Sequence, residues 1–491
     1  MAPTDPIYIQ LEGEDDTNRL AAFLAPLLRA GDVVLLDGPI GAGKTHFCRA
    51  VIRARLGRQE DVPSPTFTLV QTYDADVEIW HADLYRLSHP DEALELGLED
   101  AFVSAICLVE WPERLGDHAP VGAIRLTLAP SQDGRLAEIR LGGRGVVAAR
   151  LAQAFGAEIR AAARLRLLGS VGWDRADSLP LAGDASARRY ERLSLAGESR
   201  ILMDSPPGIG DDVGDFARID RHLLAIGLTA PVIHAEDLAQ GLLLTEDFGD
   251  GVFARLIEND PAAEGSLYQA AVDVLVRLQT SPPAPALPDL SAADWAQAAA
   301  MVLQWYSYAA TGEKPDTGPF VAGLTDTMMS YADGPRVMIL RDYHAENLMW
   351  LPSRQGVQRV GLLDFQLGQL GQPGYDLVSL LQDARRDVGP EVERLMIHRF
   401  LDATGRGAAA FLPAYAALGA QRALRIIGVF ARLCLVAGKP GYVALIPRVW
   451  GQLQRNLARP ELSALRAICA TLPEPSPTTL DRIRAQCSTC Q

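Results

Sequence analysis

Eight residues near the start of the chain, 38–45, read GPIGAGKT and have the residue types that hold nucleotide phosphates. An apolar stretch at 32–37 precedes them, and a helical pattern over 41–56 overlaps them and continues beyond. Glycines let backbone N–H groups turn toward phosphates at the positive end of a helix, a lysine reaches the β and γ phosphates, and a hydroxyl can ligate Mg²⁺. We therefore predict an ATP and Mg²⁺ site formed by Gly38, Gly41, Gly43, Lys44 and Thr45.

Lysine is rare in this chain, which makes its presence at position 44 informative. Of the 46 basic residues, only Lys44, Lys314 and Lys439 are lysines. The planar fork of arginine fits poorly where a compact ammonium charge is needed. We therefore predict that Lys44 is retained for phosphate binding.

Three further motifs follow this loop in order: SPTFT at 64–68, HADLYR at 81–86 and VEWP at 109–112. Together with the loop they resemble the TsaE (YjeE) family, the ATPase component of bacterial tRNA threonylcarbamoyladenosine synthesis, over roughly residues 8–141. The resemblance implies ATP hydrolysis that supports a tRNA-modifying complex containing TsaB and TsaD partners. Residues 1–150 contain 23 acidic and 14 basic side chains, a balance that suits a partner ATPase better than direct tRNA binding.

The resemblance also assigns roles to individual residues. It gives Asp83 and Glu110 as partners of Mg²⁺ and the attacking water, Thr66 as part of a switch-like loop sensing the γ phosphate, and Trp111 as a residue near the nucleotide. The chemistry agrees for the two acids, because each lies at or near the end of a predicted strand, where open α/β sheets bind ligands. A structural role for each acid, packing for Trp111 and a plain turn at 64–68 remain the alternatives.

A second set of chemically suitable residues begins with RDYHAEN at 341–347 and continues with GLLDFQ at 361–366. Asn347 follows Asp342 by five positions, and Asp364 ends an apolar stretch 17 positions later. This spacing is typical of kinase-like phosphotransferases. Asp342 can accept or orient the proton of an acceptor hydroxyl, while Asn347 and Asp364 offer oxygens to Mg²⁺.

The surrounding residues resemble the aminoglycoside phosphotransferase (choline kinase-like) family over roughly 178–460. The similarity is closer to its AmgK-like branch, which phosphorylates N-acetylmuramate and N-acetylglucosamine at the anomeric position during cell-wall recycling. The segments that carry the closer match, besides the catalytic loop, are GDASARRY at 183–190, LMDSPP at 202–207, YDL at 375–377, QRALRIIGVFARL at 421–433 and GKPGY at 438–442. The resemblance implies an ATP-dependent sugar kinase.

One position departs from the general kinase pattern. The third strand of the small lobe should carry a lysine for the α and β phosphates, but this chain has Met203 there. We expect Arg188 or Arg189 to substitute, and Ser186 to belong to a loop over the phosphates, with an ordinary hairpin turn as its alternative. Asp376 is expected to support the catalytic loop rather than to touch substrate.

Two alternative functions remain open for this second region. The absent lysine would suit a regulatory pseudokinase, whereas the intact Asp342, Asn347 and Asp364 oppose that interpretation. A phosphotransferase for an aminoglycoside or another small molecule would use the same chemistry. The C-terminal region lacks a run of acidic residues for a polycation, and its basic residues instead suit an acidic or neutral sugar, namely Arg422, Arg425, Arg432 and Lys439.

The elements that must position these residues fall into two domains within 491 residues. We predict an α/β fold class: a three-layer P-loop NTPase domain at 1–145, followed by a bilobal protein kinase-like (aminoglycoside phosphotransferase) α+β domain at 173–475. An arginine- and alanine-rich connecting helix is predicted at 146–172 and a mobile tail at 476–491. The net charge of -15 argues against a broad nucleic-acid-binding face. Because the chain shows no signal peptide and no membrane span, we expect it to be cytoplasmic.

Overall fold

The computed structural model describes residues 6–58, 61–131, 134–142, 146–181, 188–207 and 213–487. The chain divides into two compact units, Met1–Ala163 and Arg164–Gln491. Among the described residues, none of the helices combines the length and the apolar character that crossing a bilayer requires.

The first unit is built on a seven-stranded sheet with the strand order β1-β7-β6-β2-β5-β4-β3. Strands β2, β4 and β5 run parallel to one another. The strands are β1 (Ile7–Leu11), β2 (Val33–Asp37), β3 (Val70–Tyr73), β4 (Ile79–Asp83), β5 (Ile106–Glu110), β6 (Ile124–Ser131) and β7 (Gly134–Leu141), and the helices before the inter-unit boundary are α1 (Glu14–Leu24), α2 (Lys44–Leu56), α3 (Glu92–Glu95) and α4 (Leu98–Ser104).

Helices cover both faces of this sheet because its central strands are apolar on both sides. In β2, Val34 and Leu36 belong to one apolar cluster, whereas Val33 and Leu35 belong to another. Alternate residues of a strand point to opposite faces, so the two clusters lie on the two sides of the sheet. The predicted three-layer α/β domain is confirmed, and its last two strands form the antiparallel pair β6 and β7.

The phosphate loop connects β2 to α2, and its glycines are required by its backbone. Gly38 has φ +141, and a Cβ at this position would lie 2.5 Å from the carbonyl oxygen of Leu128. Gly43 precedes α2 with φ +99. Both angles lie in the region that favours glycine, so the loop can approach a ligand with its backbone.

A long helix, α5 (Val146–Ser170), contains the boundary between the two units. In the first unit, Leu151 and Phe155 of this helix join the apolar cluster beside α1 and α2. In the second unit, Arg164 makes two hydrogen bonds of 2.6 Å to the carboxylate of Glu191. The two ends of the helix thus each contribute to the unit in which they lie.

The second unit begins with a five-stranded antiparallel sheet and one helix, which we call the small lobe. The strand order is β11-β12-β10-β9-β8. Its elements are β8 (Asp177–Leu181), β9 (Arg189–Leu195), β10 (Glu198–Asp204), α6 (Val213–Ala225), β11 (Ile233–Asp237) and β12 (Leu242–Glu246).

The rest of the second unit is mainly helical and contains two short antiparallel strand pairs. Strand β13 pairs with β16, and β14 pairs with β15. The strands are β13 (Val337–Ile339), β14 (Leu348–Trp350), β15 (Val360–Leu362) and β16 (Gln369–Gly371), and the helices are α7 (Phe253–Asn259), α8 (Glu264–Thr280), α9 (Ala292–Ala299), α10 (Tyr308–Thr311), α11 (Gly318–Tyr331), α12 (Tyr375–Leu381), α13 (Pro390–Thr404), α14 (Ala408–Ala437), α15 (Ile446–Leu457), α16 (Ser463–Cys469) and α17 (Pro477–Ala485). This arrangement confirms the bilobal kinase-like fold class.

The predicted mobile tail is wrong for most of its length. Residues Pro477–Ala485 form helix α17, which begins with Ser476 accepting a hydrogen bond from the backbone N–H of Thr479. Leu480 and Ile483 are three positions apart, face the same side of the helix, and are buried in the core of the second unit. These two apolar residues were not recognised as one buried helical face because a proline-rich segment precedes them. Residues 488–491 lie outside the described part.

Candidate functional sites

Lys44 occupies the centre of the first site. Its Nζ donates to the backbone carbonyls of Gly38 at 2.6 Å and Pro39 at 3.0 Å, and it lies 3.8 Å from the ring centroid of Trp111. Burial lowers the pKa of this ammonium, while neighbouring carboxylates led by Glu110 oppose the shift. The carbonyl groups of the phosphate loop and the ring of Trp111 thus hold the Lys44 ammonium where it can contact a phosphate oxygen.

Glu110 connects the phosphate loop to the interior of the sheet. Its Oε2 accepts a hydrogen bond from Thr45 Oγ1 at 2.9 Å, and its Oε1 lies 3.0 Å from Nε2 of the buried His81. Glu110 and His81 are on the neighbouring strands β5 and β4. The histidine therefore orients this carboxylate from behind, a role that its position inside the HADLYR motif did not reveal.

Asp83 lies directly opposite Glu110 in the parallel pair β4 and β5. Its Oδ2 accepts a hydrogen bond from Thr66 Oγ1 at 2.8 Å, and Ser64 Oγ lies 2.7 Å from the same threonine hydroxyl. The structure therefore brings Thr66 of the predicted switch-like segment to one of the two predicted acids. Both acids are at the carboxyl ends of their strands, as expected for ligand binding at this edge.

Trp111 follows Glu110 with a left-handed backbone, at φ +62. Its ring packs against Tyr85 with a centroid distance of 5.0 Å and lies beneath the Lys44 ammonium. In the structure this ring positions the lysine. Stacking of Trp111 on a nucleotide base stays a prediction.

Arg135 is a residue of the first site that the motifs did not indicate. It lies on β7, and its guanidinium would be 3.3 Å from a Cβ added to Gly43. Among the described residues it forms no hydrogen bond or ion pair. An arginine so close to the phosphate loop can donate to a phosphate oxygen. Only the β6–β7 hairpin brings it there, since it lies 92 positions from Gly43 in the sequence.

The oxygen atoms around Thr45 and Thr66 fit a magnesium ion. The hydroxyls of these two threonines each hydrogen-bond to a carboxylate, those of Glu110 and Asp83 respectively. Hydroxyl and carboxylate oxygens are the ligands that Mg²⁺ prefers beside nucleotide phosphates. Thr45, Asp83 and Glu110 remain the predicted metal-binding residues of this site.

In the second unit, helix α12 supports the catalytic loop. Asp376 accepts hydrogen bonds from the backbone N–H groups of Leu340 at 2.7 Å and Arg341 at 2.9 Å. Burial raises the pKa of Asp376 to about 7. The Oγ of Ser379, one turn later, donates to the carbonyl of Arg341, whose φ is +72. Asp376 therefore supports the loop, as expected, and fixes the backbone just before Asp342.

Asn347 and Asp364 meet because β14 and β15 are paired. The register opposes Leu348 to Leu362, so the residue before β14 and the residues after β15 are neighbours. Asn347 Nδ2 donates to the carbonyl oxygen of Asp342 at 2.9 Å and lies 3.4 Å from Asp364 Oδ2. The side-chain oxygen of Asn347 is engaged by none of the described residues, and Asp364 is exposed. An amide oxygen and an exposed carboxylate side by side fit Mg²⁺.

Asp342 faces a cavity that is also lined by residues of the segment after α12 and by helix α14. Burial raises the pKa of this carboxyl, and Asp364 adds to the increase. The cavity includes Asp383 and Arg385, which no motif had indicated, although the charged run DARRD at 383–387 is visible in the sequence. The Oδ2 atom of Asp383 is buried and has no hydrogen-bond partner among the described residues.

The substitutes proposed for the absent lysine differ in their position. Met203 is buried in the core and pairs across the sheet with Tyr190, while Arg189 pairs with Asp204 on the other face and is exposed. Arg188 is buried and, being two residues before Tyr190, shares the face of Tyr190 and Met203. The geometry therefore favours Arg188 over Arg189. Ser186 lies outside the described residues.

An acid without a lysine partner lies on α6, the helix of the small lobe. Asp220 is 1% exposed, and its two carboxylate oxygens have no hydrogen-bond partner among the described residues. Burial raises its pKa to about 7, an effect that the charge of Arg221 opposes and that of Glu246 reinforces. Kinases pair an acid of this helix with the strand lysine. Here the acid is present, and Met203 takes the place of the lysine.

This buried acid predicts a pH-dependent stability. The pKa of Asp220 is about 7 in the folded protein, whereas the ordinary pKa of an aspartate is 3.8. Between these values the folded state holds a proton that the unfolded state has lost, so Asp220 destabilises the fold increasingly as pH rises through this interval. We expect the stability that Asp220→Asn gains over the wild type to be about 2–3 kcal/mol larger at pH 8 than at pH 5. Calorimetric unfolding at both pH values measures this. An equal difference at pH 5 and pH 8 would contradict the expectation, and the transition of the first unit is the internal control.

Comparisons with known proteins cover both units. Residues 11–137 match the family described as threonylcarbamoyl adenosine biosynthesis protein TsaE, and residues 177–418 match the phosphotransferase enzyme family. An N-acetylmuramate/N-acetylglucosamine kinase of Caulobacter vibrioides is 37% identical over 351 residues, which are 63% of this chain and 95% of that protein. A TsaE protein of Rickettsia bellii is 41% identical over 119 residues, 24% of this chain and 83% of that protein.

A third relative, a TsaE protein of Rickettsia conorii, is 48% identical over 104 residues, 21% of this chain and 59% of that protein. Both predicted families are thus confirmed, each on the unit to which its motifs belong. The chain is an enzyme that joins two ATP-using families: it belongs to the TsaE family through its first unit and, through its second, to the phosphotransferase family that includes the N-acetylmuramate/N-acetylglucosamine kinases.

Proposed function

We propose that this chain carries two ATP-dependent activities. The first unit hydrolyses ATP in support of the N6-threonylcarbamoyladenosine modification at position 37 of tRNA. The second phosphorylates N-acetylmuramate or N-acetylglucosamine at the anomeric hydroxyl in cell-wall recycling. The similarity of each unit to relatives that bear these names supports the pairing.

The observation that carries the kinase proposal is the grouping of Asp342, Asn347 and Asp364 on one supported loop and hairpin. The anomeric oxygen attacks the γ phosphorus of ATP, and its proton passes to the Asp342 carboxylate. The bond between the γ phosphorus and the bridging oxygen breaks, so that sugar phosphate and ADP are formed. Asp376 contributes by holding the backbone that aims Asp342.

In the first unit, the same chemistry uses water as the acceptor. Lys44 and the backbone of the phosphate loop bind the phosphates, and Arg135 adds a second cation beside Gly43. Asp83 or Glu110 orients the water that attacks the γ phosphorus and takes up its proton. Thr66, hydrogen-bonded to Asp83, links the segment at 64–68 to this step.

Magnesium would be held by Thr45, Asp83 and Glu110 in the first site and by Asn347 and Asp364 in the second. When bound, the ion neutralises charge on the phosphates of ATP. In the second site, the side chain of Arg188 takes over the nucleotide contact that the absent strand lysine would make, because it shares the face of Met203.

Partners follow from the first unit. We infer that TsaB- and TsaD-like proteins receive this unit, since relatives named TsaE take part in threonylcarbamoyladenosine biosynthesis. The excess of 23 acidic over 14 basic residues at 1–150 favours contact with proteins over direct tRNA binding.

A panel of acceptors tests the kinase proposal against its alternatives. Purified chain is supplied with ATP and, separately, N-acetylmuramate, N-acetylglucosamine and an aminoglycoside, and phosphorylated product is measured. We expect transfer to one or both amino sugars and none to the aminoglycoside. Transfer to no acceptor would favour a regulatory pseudokinase, and transfer to the aminoglycoside alone would favour the antibiotic phosphotransferase.

A further inference from the structure

The cavity that reaches Asp342 is lined by charged side chains of both signs. Its volume is about 130 Å³. Neither Asn347 nor Asp364 lines it, whereas Asp342, the proposed acceptor of the hydroxyl proton, does, so we infer that the phosphoryl acceptor binds here. Three arginines line it, together with Asp342 and Asp383.

Two of the three arginines already have partners within the protein. Arg385 Nε lies 3.2 Å from a carboxylate oxygen of Glu346, and its Nη1 lies 3.2 Å from His344 Nε2. Arg422 is buried and donates to Ser379 Oγ at 2.9 Å, the same hydroxyl that donates to the catalytic loop. These two arginines therefore stabilise the cavity lining through contacts within the protein.

Arg425 differs from both. It lies on α14 one turn after Arg422, lines the same cavity, and is partly exposed. It forms no hydrogen bond or ion pair with any residue in the described ranges. A guanidinium that faces an acceptor cavity and has its donors available is suited to a planar, bidentate anion such as a carboxylate.

The charged side chains of the cavity lining are three arginines and two aspartates. His344 lines the cavity as well, with its Nε2 3.2 Å from Arg385 Nη1. The three guanidinium groups thus exceed the two carboxylates of the lining. A polycationic acceptor would meet like charge, whereas an acceptor with one carboxylate would gain a charge-assisted contact.

We propose that Arg425 is the carboxylate-binding residue of the acceptor site and makes the enzyme favour an amino sugar that bears a carboxylate over its neutral counterpart. This inference rests on the proposed kinase function. N-acetylmuramate carries such a carboxylate on its lactyl ether, and N-acetylglucosamine does not. Arg425 therefore acts on substrate selection, while Asp342 performs the proton transfer for both sugars.

The ratio of kcat/KM for N-acetylmuramate to that for N-acetylglucosamine tests this role, because effects common to both sugars cancel. We expect Arg425→Gln to lower the ratio by about 10- to 100-fold, the range of one charge-assisted hydrogen bond, mainly through KM. Arg425→Lys should restore part of it. The matched control is Arg394→Gln, which replaces an exposed arginine of α13 outside the cavity lining and should leave the ratio unchanged.

A second measurement uses the wild type alone, so that a variant with a damaged fold cannot decide the matter. The wild type should phosphorylate N-acetylmuramate at least about tenfold more efficiently than its methyl ester, which lacks the charge. Equal use of acid and ester, or an unchanged ratio in Arg425→Gln, would overturn the role of Arg425 and leave the kinase function standing. Failure of the wild type to phosphorylate either sugar would instead refute the kinase function and, with it, the role of Arg425.

Discussion

Replacing Asp342 by alanine is expected to lower amino-sugar phosphorylation by about 10²- to 10⁴-fold, the usual contribution of a general base. The Asp342 carboxylate lines the acceptor cavity. Asp376 holds the backbone just before Asp342, and the side chain of Asn347 donates a hydrogen bond to the backbone carbonyl of Asp342. The loss should appear in kcat, because the carboxylate acts on the proton of the attacking hydroxyl. Initial rates of ADP formation at saturating ATP, with sugar varied, measure it.

Two controls make this result specific. Asp402→Ala removes an exposed aspartate from α13 of the same unit, where it pairs with His398, and should leave the rate unchanged. Partner-stimulated ATP hydrolysis by the Asp342→Ala protein should also remain, since that reaction belongs to the first unit. Sugar phosphorylation that survives in Asp342→Ala would show that Asp342 is not the base, and the assignment of the catalytic loop would have to be abandoned.

Local motifs predicted the residues that the backbone brings together over short sequence distances. The phosphate loop is one turn between β2 and α2, and the strand pair β14 and β15 lies within the 17 positions that separate Asn347 from Asp364. In such cases the residue types and their spacing are enough to predict which side chains lie close together. The fold class and both families followed from these motifs.

Contacts across the fold could not be predicted in this way. Arg135 reaches Gly43 only because a hairpin lies beside β2 in the sheet, and the strand order cannot be obtained from single-sequence patterns. Asp383 and Arg385 line the acceptor cavity only because helix α14 crosses the segment that follows α12. A charged run is most often a solvated surface, so the run at 383–387 did not by itself indicate a site.

The structure distinguishes between the two arginines that could substitute for the absent strand lysine. From the sequence, Arg188 and Arg189 are equal candidates. In the structure, strand alternation puts Arg188 on the face of Met203 and Arg189 on the other. Asp220 lies on α6 and has no lysine of strand β10 to pair with, and burial raises its pKa.

The variant Lys44→Ala is expected to lower partner-stimulated ATP hydrolysis by at least about 100-fold while leaving sugar phosphorylation intact. The ammonium is the cation of the phosphate loop, and removing one preorganised charge from a phosphoryl-transfer site typically costs this much. Hydrolysis is measured with purified TsaB- and TsaD-like proteins present.

Arg135→Gln should lower the same partner-stimulated hydrolysis by a smaller factor, near tenfold, because it removes one charge-assisted donor beside Gly43.

The conservative variant Lys44→Arg distinguishes charge from shape. The Lys44 side chain is 5% exposed, and its Nζ is confined by the carbonyls of Gly38 and Pro39 and by the ring of Trp111 at 3.8 Å. A guanidinium is wider than an ammonium and cannot occupy that space without moving the loop. We therefore expect Lys44→Arg to be nearly as inactive as Lys44→Ala. Full hydrolysis by Lys44→Arg would mean that charge alone suffices, and the retention of one lysine among 14 basic residues at 1–150 would then need a different cause.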